Sequence, residues 1–121
     1  MVVDQDRRTA LDPDEVDRVF AALADATRRD ILVRVLHEEQ SVSALARRYD
    51  MSFAAVQKHV AVLARAALVH KRKQGREQIV SGDVETVRAA GRLLDALEEV
   101  WRGRVDRIAE LLALDPEEDR T

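Results

Sequence analysis

Ser41 and Ser52 stand eleven residues apart, and each directly precedes apolar residues at helical spacing. A serine hydroxyl at an N-cap accepts from a free amide of the first turn, so both positions are expected to start helices. Residues 41–66 are thereby confined to two short helices joined by a tight turn at Met51-Ser52. The first is expected to bury Val42, Leu45 and Ala46 and to end near Tyr49-Asp50. The second is expected to run to Arg65 or Ala66, with Val56, Val60, Leu63 and Ala67 stepping along one inward stripe. Ala54, Gln57, Lys58, Ala61 and Arg65 then fall on the opposite face, where small residues and long polar ones alternate. A helix with such an outer face can lie closely in a nucleic-acid groove.

The flanking segments extend this unit. Asp12-Pro13-Asp14-Glu15 combines an N-cap, a first-turn proline and an acid at N3, which starts a helix carrying Val16, Val19, Phe20 and Leu23 on one face. Asp25 caps a second helix with Ile31, Leu32, Val35 and Leu36 pointing inward, and Glu38-Glu39-Gln40 reads as a loop. His70 to Val80 forms two extended runs about a turn at Gly75, a β-hairpin with cations at 71, 72, 73 and 76. After Gly82-Asp83 a long helix is expected to reach about Leu114 and to stop at Asp115-Pro116. Its stripe of Val87, Ala90, Leu94, Leu97, Trp101, Val105, Ile108 and Leu112 is longer than a small domain can cover. A symmetric dimer built from Val16, Val19, Phe20 and Leu23 with Leu94, Leu97, Trp101, Val105 and Ile108 is therefore expected. The fold class is mainly α with a small β-hairpin: a winged helix-turn-helix over residues 12–114, preceded by a flexible arm (1–11) and followed by an acidic tail (115–121).

Charge is distributed to match. Of 20 Lys and Arg and 23 Asp and Glu, residues 40–76 hold eight bases and one acid, although the whole chain has a net charge of −3. A basic stripe inside an acidic chain is the footprint of a module that lies along duplex phosphates. Aromatic residues are only 3% of the chain, which disfavours stacking platforms for single strands or RNA. The residues assigned to DNA are Ser41, Ser52, Phe53, Ala54, Gln57, Lys58, His59, Arg65, Lys71, Lys73 and Arg76. Gln57 and Lys58 suit base edges, whereas Ser52 and Arg65 suit phosphates and Arg76 the tip of the wing. Two recognition helices in a dimer imply a pseudo-palindromic operator.

Other classes are disfavoured. The chain has no Cys, so disulfides and thiolate metal sites are excluded. No phosphate-cradling glycine loop, H-E-x-x-H or convincing carboxylate pair indicates an enzyme. No cofactor is implied. The N-terminus does not resemble a signal peptide and no apolar run could span a membrane, so a cytoplasmic location is expected. A winged-helix module that binds protein instead of DNA is the competing reading from another class.

Several segments carry a family resemblance: Ala22-Leu23-Ala24-Asp25-Ala26-Thr27-Arg28-Arg29-Asp30-Ile31-Leu32, Ser41-Val42-Ser43-Ala44-Leu45-Ala46, Met51-Ser52 through Val56-Gln57-Lys58-His59-Val60, Leu63, Ala66-Ala67-Leu68-Val69 and Gly75-Arg76-Glu77. Together they resemble the ArsR/SmtB family of bacterial winged-helix transcriptional repressors over roughly residues 13–112, in the branch without thiol sensors. The resemblance implies a homodimeric, autoregulatory repressor. Ala26, Gln57 and Ala67 stand where family members usually have Pro, Ser and Gly. The Gln57 change bears on the operator, and Ala67 bears on how the recognition helix ends. Family metal sensors use Cys pairs or clusters of Asp, His and Glu; here His37, His59 and His70 lie on separate elements and no metal is expected. A repressor responding to metal through carboxylate and His ligands is the alternative. A small-molecule effector, if one binds, is expected between the first and last helices at the dimer interface.

Overall fold

The computed structural model describes the backbone of residues 10–120 and the side chains of residues 10–113. The element order is α1 (Pro13–Leu23), α2 (Ala26–His37), β1 (Gln40–Ser41), α3 (Val42–Ala46), α4 (Phe53–Arg65), β2 (Val69–Gln74), β3 (Glu77–Gly82) and α5 (Val84–Arg120). The chain divides into two units between Ala90 and Gly91, inside α5.

In the first unit each helix starts at a cap that the sequence announces. Asp12 accepts from the Glu15 amide at 2.9 Å while Glu15 reaches back to the Asp12 amide at 2.9 Å, a complete capping box. Asp25, Ser41 and Ser52 accept from the amides of Arg28, Ala44 and Ala55. The Arg28 amide bond, aided by the Arg28 charge, holds the Asp25 carboxyl below its ordinary value. The core gathers Val19, Ala22, Ile31, Leu32 and Val35 of the first two helices, Val42 and Leu45 of α3, and Val56, Val60 and Leu63 of α4. Each of these aliphatic side chains larger than alanine contributes about 1.5–3 kcal/mol by leaving water.

α4 ends in a Schellman motif. The Leu68 amide donates to the Leu63 carbonyl at 3.0 Å and the Ala67 amide to the Ala64 carbonyl at 3.0 Å, while Ala67 adopts φ +61°. Leu63 and Leu68 are both fully buried, which supplies the hydrophobic closure of the motif. The inward stripe therefore passes through Ala66, which is buried, and not Ala67, because the chain has already left the helix at that point.

The structure corrects other boundaries. α3 stops at Ala46, short of Tyr49-Asp50, and residues 47–50 form turns with Arg48 and Tyr49 amides bonded to Leu45 and Ala46 carbonyls. Gln40 is no loop residue: with Ser41 it forms a two-residue strand that pairs antiparallel with Val80 and Ile79, giving sheet order β1-β3-β2. So short a strand has no alternation to read in a sequence. Leu36 remains half-exposed while leaning on β3, where a Cβ at Gly82 would come within 2.5 Å of its Cδ2. Leu11, assigned to the arm, packs against the core, and residues 1–9 of that arm lie outside the described residues. α5 continues past Pro116 to Arg120 instead of stopping at Asp115-Pro116. Pro116 forfeits its own backbone donor, yet the residues after it keep helical geometry.

A polar network secures the helix-turn-helix turn. Asp30 on α2 accepts from the Tyr49 hydroxyl and from Arg34 Nε at 2.9 Å. The Tyr49 bond first, and Arg34 second, hold the Asp30 carboxyl below the usual carboxylate range. Partial burial, reinforced by Asp30, pushes the Tyr49 hydroxyl from 10.0 up to about 12.

Ala67→Gly is expected to stabilise the fold by about 0.5–1 kcal/mol, since relief of left-handed strain outweighs the added freedom of the unfolded chain; urea denaturation measures it. A raised tyrosine value contributes stability that is present below pH 10 and lost towards about pH 12. The lowered Asp30 value contributes stability that is present above the ordinary carboxylate range and lost in acid. Tyr49→Phe should therefore flatten both limbs of a plot of stability against pH and cost about 1 kcal/mol at neutrality, as followed by chemical denaturation across pH.

Candidate nucleic-acid interface

The basic stripe resolves into two populations once strand register is fixed. β2 pairs with β3 as Lys71↔Val80, Arg72↔Ile79 and Lys73↔Gln78, so Lys71 and Lys73 share one face and Arg72 lies on the other. Arg72 is neutralised there by a two-pronged pair with Glu39, both contacts 2.8 Å, and also donates to Gln74. The pairing lowers the Glu39 carboxyl and raises the Arg72 guanidinium from their ordinary values. His70, also on that outer face, donates from Nε2 to Asp83 at 2.7 Å. Asp83 in turn accepts from the Glu85 and Thr86 amides and so caps α5.

The other face opens on α4. A groove of about 360 Å³ lies between the two, lined by Ala54, Gln57, Lys58 and Ala61 of α4 together with Lys71 and Gln78 of the hairpin. Its lining alternates small Ala54 and Ala61 with the long, exposed Gln57 and Lys58. Among the described residues Lys58, Lys71, Lys73 and Arg76 carry no ion pair, in contrast to Arg72. Arg76 follows Gly75 in the two-residue turn, where φ is +64° at Gly75 alone, the pattern of a type II′ turn. It therefore stands at the hairpin tip.

The remaining expected residues separate from the groove. Ser41 and Ser52 spend their hydroxyls on helix caps, with Ser52 exposed at the start of α4 beside the exposed Phe53. His59 does not line the groove: its Nδ1 accepts from Arg28 Nη1 at 3.3 Å and lies 3.9 Å from Asp25. Arg28 also donates to the Ala22 and Ala21 carbonyls at 2.8 and 3.2 Å, so it closes the end of α1 and braces it against α4. Arg65, on the last turn of α4, lines a different cavity with Glu15, Arg18 and Thr86. Gln78 was missed because its place beside Lys73 depends on hairpin register, which the residue types alone do not give. The described residues contain no cluster of three metal-ligating side chains.

Of the residues assigned to dimerisation, Val19 is 1% exposed and belongs to the core of its own unit, with no surface left for a partner. Val16, Phe20 and Leu23 are half-buried. In the second unit, Leu94, Leu97, Trp101, Val105 and Ile108 are all exposed, Trp101 to 59% with Arg104 stacked over its ring. No described helix is long and apolar enough to cross a membrane.

No family model matches the chain. It is 36% identical over 105 residues to the HTH-type transcriptional regulator Rv2034 of Mycobacterium tuberculosis, a match covering 87% of this chain and 94% of that relative. Among solved structures, an ArsR-like transcriptional regulator from Rhodococcus sp. RHA1 superposes with TM-score 0.72 at 34% identity, over 81% of this chain and 92% of that one. The ArsR family transcriptional regulator RHA00566 gives TM-score 0.72 at 32% identity, over 77% and 96%. The homodimeric winged helix-turn-helix DNA-binding domain Mb0332 from Mycobacterium bovis gives 0.59 at 26% identity, over 71% and 81%.

Arg28→Ala should remove two carbonyl caps and the His59 partner together. The expected cost is about 2 kcal/mol in thermal or urea unfolding, with no change at the groove.

Proposed function

Because the chain belongs to the ArsR family of winged helix-turn-helix transcriptional regulators, which are not enzymes, we propose that it is a dimeric, sequence-specific repressor of duplex DNA that acts on its own promoter without thiol-based metal sensing. The groove in which Gln57 and Lys58 of α4 meet Lys71 of the wing carries this reading: among the described residues its lysines have no ion pair, while Arg72 on the opposite face is neutralised. Unpaired lysines are the groups that exchange counterions for phosphates, and a glutamine on the outer face of α4 can pair with adenine. Arg76 at the tip and Lys73 beside it reach the flanking backbone or minor groove, and the Ser52 end of α4 offers free amides to a phosphate.

Dimerisation is supported by the exposed stripe of the second unit. Leu97 and Trp101, about 60 and 59% exposed, form a continuous apolar face with Leu94, Val105 and Ile108, and such a face is stable in water only when covered. A second copy covers it, joined by the exposed parts of Val16, Phe20 and Leu23. Two α4 helices then enter successive major grooves about 34 Å apart, on a pseudo-palindromic operator. A repressor of this design works in the cytoplasm, where the chromosome is.

Fluorescence anisotropy with a labelled duplex from upstream of the gene, against a scrambled duplex and across salt concentrations, tests this reading. Gln57→Ala should cost about 1–3 kcal/mol on the operator and relax its sequence preference. Lys71→Ala or Arg76→Ala should weaken both duplexes alike and lower the salt slope by about one. Arg72→Ala should leave the slope unchanged, and Trp101→Glu should yield monomers that bind poorly. Equal, weak binding to the operator, the scrambled duplex and a genomic pool would replace the reading with a protein-binding winged helix.

A further inference from the structure

A second cavity shares no lining residue with the groove. It measures about 250 Å³ and is lined by Leu11, Glu15, Arg18, Arg65, Ala67 and Thr86, with Ala66 between. Arg18 of α1 and Arg65 of α4, both exposed, line it together, and among the described residues neither has an ion pair or a side-chain hydrogen bond. Glu15 lines the cavity as well, while its Oε1 accepts from the Asp12 amide at 2.9 Å. The lining thus carries two cations and one acid, and a planar guanidinium suits a carboxylate. Leu11, Ala66 and Ala67 add an apolar side, and Thr86 adds a hydroxyl.

We propose that this cavity binds a small organic carboxylate that also carries a hydroxyl or amino donor. Its carboxylate lies between Arg18 and Arg65, its donor meets Glu15 or Thr86, and its carbon skeleton covers Leu11 and Ala66. The lining of the cavity includes Glu15 and Arg18 of the first helix and Thr86 of the last, the two elements between which an effector is expected from the sequence. Its consequence for DNA rests on the repressor reading: Arg65 follows Lys58 by two helical turns on the outer face of α4, so a bound carboxylate withdraws that guanidinium from a phosphate and weakens operator binding.

Isothermal titration of the full chain, without DNA, decides the binding itself. The probes are 3-hydroxybenzoate, L-glutamate, methyl 3-hydroxybenzoate and inorganic phosphate. Saturable binding of a carboxylate at one site per chain is expected, with no binding of the ester. Arg18→Gln and Arg18→Lys should each weaken it by about tenfold or more, the lysine because it keeps the charge but loses the fork. The melting curves of both variants serve as the folding control. No binding by either carboxylate at millimolar concentration, equal binding of the ester, tighter binding of phosphate than of both carboxylates, or undiminished affinity in a folded Arg18 variant would each overturn the proposal. Because no DNA is present, these outcomes stand whether or not the repressor reading does. With the labelled operator added, the bound carboxylate should lower affinity in the parent chain and not in Arg18→Gln.

Discussion

Everything in the first unit is arranged around the inner face of α4. Val56, Val60 and Leu63 have almost no exposed surface, and α4 packs against α1, α2, α3 and β2. A helix buried along one side by four neighbours cannot rotate without moving several apolar side chains into water, at about 1.5–3 kcal/mol each. Its outer face is therefore fixed as firmly as its core, and Ala54, Gln57, Lys58 and Ala61 are presented in one orientation. The two ends are held by different means. At the start, Ser52 satisfies the Ala55 amide; at the finish, the Schellman turn through Ala67 buries Leu68 and directs the chain into the wing. Asp83 completes the frame, because its amide donates to the Leu68 carbonyl at 2.8 Å while its carboxylate caps α5 and accepts from His70.

Polar groups divide between holding the frame and facing outward. Tyr49, Asp30 and Arg34 fasten the turn after α3 to α2, and Arg28 fastens the end of α1 to His59 on α4. Arg72 joins the wing to Glu39 ahead of β1. These groups are satisfied internally and have little capacity left for a ligand. Among the described residues, Lys58 and Lys71 at the groove and Arg18 and Arg65 at the cavity have no such partner. Net charge along the sequence does not distinguish the two populations, since Arg72 and its lysine neighbours contribute alike to a count. Strand alternation does, because it turns adjacent residues to opposite faces.

Local chemistry determined a large part of this protein. Asp12, Asp25, Ser41 and Ser52 start helices where their side chains can satisfy the nearest free amides, and the glycine at 75 marks the hairpin turn; these interactions span three residues or fewer and are legible in any chain. The helical period likewise placed Val56, Val60 and Leu63 inside and Gln57 and Lys58 outside. Tertiary structure alone decided the rest, because it depends on groups distant in the sequence. Strand β1 exists only through its pairing with β3, His59 is a brace only because Arg28 reaches it from 31 residues away, and Arg72 is neutralised only because Glu39 is folded beneath it. The cavity lined by both Arg18 and Arg65 has no signature in the sequence, since helix packing alone brings residues so far apart in the chain to it.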